Sequence, residues 1–108
     1  MKTSDNKICE KTISLIGNKW SLMILNQLNS EKKTMRFNEF LVSLKPISSK
    51  TLSARLKELS KQGIIKKNIL ENEDGGAVKI EYELTKKGED LIGIFELMRE
   101  WGKKWHSI

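Results

Sequence analysis

A chain of 108 residues is long enough for one domain and too short for two. With 38% hydrophobic and 31% charged residues it is a folded globular composition, too apolar for disorder and without the ~18-residue apolar run of a membrane helix. The net charge of +6 points to an acidic partner.

Residues 1–9 read as an N-terminal arm. Residues 1–7 have no apolar stretch after their charges, so no secretory leader is expected and the chain is expected in the cytoplasm. Residues 10–16 read as a short helix with Ile13 and Ile16 on one face, broken by Gly17-Asn18. Residues 19–29 read as a second helix, with Trp20, Ile24 and Leu28 at four-residue spacing. Residues 34–36 suit a short strand. A third helix over 37–44 turns Phe37, Phe40, Leu41 and Leu44 inward, and Lys45-Pro46-Ile47 stops it because the residue before proline avoids the helical region.

Ser48 and Ser49 then offer N-caps for a fourth helix over 48–62. Leu52, Leu56 and Leu59 make its apolar stripe, and Gly63 closes it. Residues 64–71 and 78–84 read as the strands of a wing hairpin spanning 64–84, joined by Asn72-Glu73-Asp74-Gly75-Gly76. In the second strand Val78, Ile80, Tyr82 and Leu84 are expected inward, with Lys79, Glu81 and Glu83 outward. Thr85 caps a final helix over 85–105. The order is that of a single mainly α (α+β) domain, a winged helix-turn-helix with a two-stranded wing.

The basic residues cluster where this fold places its second paired helix. Residues 45–67 carry Lys45, Lys50, Arg55, Lys57, Lys61, Lys66 and Lys67 against Glu58 alone. Opposite the leucine stripe lie Lys50, Ser53, Ala54, Lys57 and Lys61, a mix able to meet phosphates, base edges and a thymine methyl. The first turn adds Ser48, Ser49 and Thr51, whose free N–H groups favour a phosphate. Arg55 flanks the stripe. It either reaches a phosphate or pairs with Glu39 or Glu58. Ser48 and Ser49 are either contacts or caps.

Several segments resemble the HxlR-type winged-helix transcriptional regulators, relatives of the MarR group. They are Cys9 ahead of Ile16-Gly17-Asn18-Lys19-Trp20, then Arg36-Phe37-Asn38-Glu39-Phe40. Ile47-Ser48-Ser49-Lys50-Thr51-Leu52-Ser53-Ala54-Arg55-Leu56-Lys57-Glu58-Leu59 before Gly63-Ile64-Ile65, and Glu81-Tyr82-Glu83-Leu84-Thr85-Lys86-Lys87-Gly88, follow in the same order. The resemblance spans nearly the whole chain. It implies a homodimer bound to double-stranded DNA at a pseudo-palindromic operator. The chain departs from the family pattern at Glu10, where a proline usually follows the cysteine, and at the acidic wing tip with Glu73 and Asp74. Lys79 is the basic wing residue that best matches, and the resemblance implies that it contacts DNA from the base of the wing rather than from its tip.

The last helix carries apolar residues on more than one face: Leu91, Ile92, Ile94, Phe95, Leu97, Met98, Trp101 and Trp105. A helix packed only on its own domain needs a single stripe. The excess is expected to form a dimer surface of Ile13, Leu91, Ile94, Phe95, Met98, Trp101 and Trp105; the alternative is a helix that only closes its own core. The resemblance also implies oxidant or electrophile sensing at the lone cysteine, Cys9, since several relatives use a cysteine there. A helix N-terminus with Lys7 and Lys11 nearby would favour the thiolate and Glu10 would oppose it; an inert thiol is the alternative. Cys9 and His106 together do not close a metal site, so no metal or cofactor is expected, and no small-molecule effector is legible. With one histidine and no phosphate loop or metal cluster, no enzyme is expected. The competing reading is a winged-helix module that binds a protein instead of DNA.

Overall fold

The computed structural model describes residues 3–30, 32–71, 75–76 and 78–106. Among the described residues, five helices and three strands follow the order α1 (Thr3–Ile16), α2 (Lys19–Leu28), β1 (Thr34–Met35), α3 (Phe37–Ser43), α4 (Ser49–Lys61), β2 (Ile65–Leu70), β3 (Lys79–Leu84) and α5 (Lys86–Trp105). This is a winged helix-turn-helix.

Local chemistry sets the boundaries. Asn18 starts α2, its Oδ1 accepting from the Trp20 N–H at 3.0 Å and the Ser21 N–H at 3.1 Å. The Arg36 N–H donates to Glu39 Oε1 at 3.0 Å at the start of α3. Ser48 Oγ accepts from the Thr51 N–H at 3.0 Å, the N-cap of α4. Gly63 ends α4 at a φ of 74°, a conformation that favours a residue without Cβ.

The core forms where α2, α3, α4 and α5 meet around the sheet. Ile24, Leu25 and Leu28 of α2 meet Phe40, Leu44 and the α4 stripe Leu52, Leu56 and Leu59, all buried. Ile64 and Ile65 close it from the wing base, and Leu91, Ile92 and Phe95 from α5.

Several expectations change. Residues 3–9 are not an arm but the first half of α1, continuous with 10–16. Apolar periodicity could not reveal them, because residues 4–10 are all exposed. Cys9 therefore lies within α1, away from the helix N-terminus that was to activate it. The short strand expected near 34–36 is β1, and it adds to the other edge of β3 through Thr34↔Glu83 and Met35↔Tyr82, so the two-stranded wing belongs to a three-stranded sheet in the order β1-β3-β2. Val78 and Ile80 are not inward but exposed, at 55% and 37%, since the hairpin projects past the core that covers Leu84. Residues 72–74, with Glu73 and Asp74, lie outside the described residues.

Leu91 and Phe95 also change role. At 8% and 4% exposure they belong to the protomer's own core and are not free for a second surface. Beyond Phe95, α5 leaves the core: Leu97, Met98, Trp101 and Trp105 are all exposed. The Cα radius of gyration is 16.0 Å, against roughly 13 Å for a compact chain of this length. The longest dimension is 56 Å.

Candidate nucleic-acid interface

With Leu52, Leu56 and Leu59 turned inward, α4 presents Lys50, Ser53, Ala54, Lys57 and Lys61 to solvent, all exposed. The ion pairs among the described residues are Lys32–Glu39, Lys66–Glu83 and Lys103–Glu100, so no carboxylate partner neutralises Lys50, Lys57 or Lys61. This outward face is cationic, carries the Ser53 hydroxyl and is free of aromatic bulk.

The remaining candidates divide. Ser48 is exposed, but its hydroxyl accepts from the Thr51 N–H and donates to Thr51 Oγ1 at 3.0 Å, so it acts as the cap. Ser49 is exposed beside it, and Thr51 is half-buried. Arg55 lies roughly 140° around α4 from Lys50. It lines a cleft with Lys11, Ser14, Ser21, Glu58 and Gln62, between α1, α2 and α4. Neither expected ion pair forms. Glu39 pairs with Lys32, and Glu58 accepts from Gln62 at 3.1 Å. Lys79 is exposed and opposes Leu70 at the last described pair of the wing ladder.

The wing also holds residues that the sequence named for charge or alternation but gave no place in the site. Lys66 and Glu83 are opposed in register and bonded at 2.8 Å. Hydrogen bonds from Lys66 and Asn68 hold the Glu83 carboxyl below the usual glutamate range. Tyr82, opposite Lys67, packs edge-on against Phe40 with ring centroids 6.3 Å apart. Its burial pushes the phenol above its ordinary range. The period-two signal for these residues was present, but which face it turned to α4 depended on the hairpin register.

Along its outer half α5 exposes Leu97 at 71%, Trp101 at 60% and Trp105 at 65%, with Ile94 and Met98 partly covered. On α1, Ile8 and Ile13 are exposed, and Cys9 is exposed among them. Among the described residues, no group of three or more His, Cys, Asp or Glu is placed to hold a metal ion, and no helix is long and apolar enough to cross a membrane.

A tight helix pair that presents an unneutralised face on its second helix, followed by an antiparallel hairpin, defines a winged helix-turn-helix protein. The chain belongs to the HxlR-like helix-turn-helix family, whose pattern matches residues 15–108. It is 40% identical over 93 residues to the HTH-type transcriptional regulator YdzF of Bacillus subtilis, covering 86% of this chain and 82% of that one. Among solved structures, the reduced form of the transcriptional regulator YodB from B. subtilis is similar, with a TM-score of 0.80 and 33% identity over 91% of each chain. The redox regulator HypR in its oxidised form gives a TM-score of 0.76 at 30% identity, covering 93% of this chain and 98% of that one. YdzF and YodB are described as transcriptional regulators and HypR as a redox regulator.

Proposed function

We propose that the protein is a homodimeric, sequence-specific regulator of transcription, acting in the cytoplasm on a pseudo-palindromic duplex operator. The observation that carries this reading is the α4 face of Lys50, Ser53, Ala54, Lys57 and Lys61, exposed and without a carboxylate partner. In a helix-turn-helix the second helix enters the major groove with its N-terminal residues on base edges. Ser49, Lys50, Ser53 and Ala54 then read bases, and Lys57 and Lys61 meet phosphates. Two copies joined along α5 place two such helices about one turn of DNA apart, roughly 34–36 Å.

The α5 surface supports the two-fold mate. Its outer half projects from the core with Ile94, Leu97, Met98, Trp101 and Trp105 at least partly bare. Tryptophan and methionine are enriched in the buried centres of interfaces. Regulation by oxidants is supported by exposed Cys9 and by the likeness to HypR. With one cysteine in the chain, any disulfide it forms is intersubunit or mixed with a small thiol.

The test is duplex binding by fluorescence anisotropy in dilute salt. Lys57→Glu weakens binding to every duplex, whereas Lys50→Ala and Ser53→Ala change which sequence is preferred. Unchanged binding in all three variants would end the groove assignment.

A further inference from the structure

The wing has two chemically distinct faces. Because side chains alternate along a strand, the β2–β3 register puts Lys66, Asn68, Lys79, Glu81 and Glu83 on one face. Lys67, Ile69, Ile80 and Tyr82 share the other. The ladder's carboxylates, Glu81 and Glu83, are thus both on the first face, where Glu83 holds Lys66. Glu71 falls beyond the last described pair, Leu70↔Lys79.

The second face looks onto the recognition helix. Lys67 and Tyr82 line a cleft of about 370 Å³ together with Ser53, Lys57 and Ser60 of α4. No carboxylate lines this cleft, and neither lysine takes part in an ion pair among the described residues. Two ammonium groups and three hydroxyl-bearing side chains therefore border an acid-free space. Their chemistry suits a phosphodiester, which presents one negative charge and several acceptor oxygens.

The position suits it as well. When a helix occupies the major groove and a hairpin stands beside it, the ridge of phosphates bordering that groove passes between them. Resting on the duplex-binding reading above, we propose that Lys67 holds a backbone phosphate in this cleft, opposite Lys57. Lys79, on the far face of the same hairpin, makes no such contact. The Tyr82 phenol is protonated at neutral pH like any tyrosine, so its hydroxyl can donate a hydrogen bond.

The experiment compares wild type, Lys67→Ala, Lys67→Arg and Lys79→Ala on a fluorescein-labelled duplex of mixed sequence, about 30 base pairs long, between about 50 and 200 mM salt. The two alanine variants remove the same charge from exposed positions of one hairpin, and thermal melts check that both stay folded. Lys67→Ala is expected to lower the slope of log affinity against log salt by about 0.9 per engaged subunit, with affinity at ~0.1 M salt falling roughly five- to tenfold per subunit. Lys67→Arg keeps the wild-type slope, and Lys79→Ala, outside the cleft, changes the slope and the affinity less than Lys67→Ala does. A wild-type slope in Lys67→Ala, or an equal loss in Lys79→Ala, overturns the assignment while duplex binding stands. Wild-type protein that ignores the duplex overturns the duplex-binding reading itself, and the phosphate site with it.

Discussion

Gly88, in the first turn of α5, lies so close to Ile64 that a Cβ on the glycine would stand 2.2 Å from the Ile64 carbonyl oxygen. The same oxygen accepts from the Thr85 N–H at 3.1 Å, and the Thr85 hydroxyl donates to the Gly63 carbonyl at 2.5 Å. One backbone junction thus joins the end of α4, the base of the wing and the start of α5. The orientation of the α4 face relative to the helix proposed to pair with a second copy depends on this contact.

Gly88→Ala therefore forces backbone to move and is expected to destabilise the fold by roughly 1–3 kcal/mol, as an overpacked core does. Gly93→Ala, five residues on, meets nothing within 4 Å. It should stabilise by about 0.5–1 kcal/mol through helix propensity. Urea unfolding of the two variants measures both, and equal effects would show that the Ile64 contact is not tight.

The α5 surface makes a prediction about assembly. Trp101→Ala removes a large side chain that is 60% exposed in the protomer. If it anchors the two-fold mate, the substitution costs about 2 kcal/mol or more, roughly a thirtyfold rise in the dimer Kd, with little change in the protomer's own packing. Sedimentation equilibrium over a dilution series reads this directly. A wild-type protein that stays monomeric at high concentration refutes it.

Acid should loosen the wing through one pair. The Glu83 carboxyl is held below the usual glutamate range, first by its hydrogen bond from Lys66 and then by that from Asn68. The folded state therefore binds this proton more weakly than the unfolded chain does. The stabilisation is complete above the usual glutamate pKa, near 4.3, and is lost as pH falls through the lower folded value. Glu83→Gln removes this titration, so its melting temperature falls less steeply than wild type below about pH 4.5. The side chains are partly exposed, which keeps the effect small and sensitive to salt. Parallel acid limbs in the two proteins would exclude the pair as a contributor.

Much of this architecture is written in local pattern. The leucine stripe of α4, the Ser48 cap, the Gly63 stop and the Thr85 start each depend on residues within one or two turns. That is why the recognition helix and the final helix stand where periodicity places them. Residues 3–9 escaped the same reading because their helix carries little apolar signal, leaving only helical backbone geometry to show it.

The chain's own order of residues determined which helix would carry cations and which would carry surplus apolar surface, because helical spacing sorts side chains onto faces without reference to anything distant. Long-range packing decided the rest. It assigned Leu91 and Phe95 to the core while leaving Trp101 bare, drew β1 onto β3 across 49 residues of sequence at Thr34↔Glu83, and turned Lys67 rather than Lys79 toward α4. Those outcomes depend on where one element stops covering another and on the register of a hairpin. Both are relations between segments, and no local spacing encodes them.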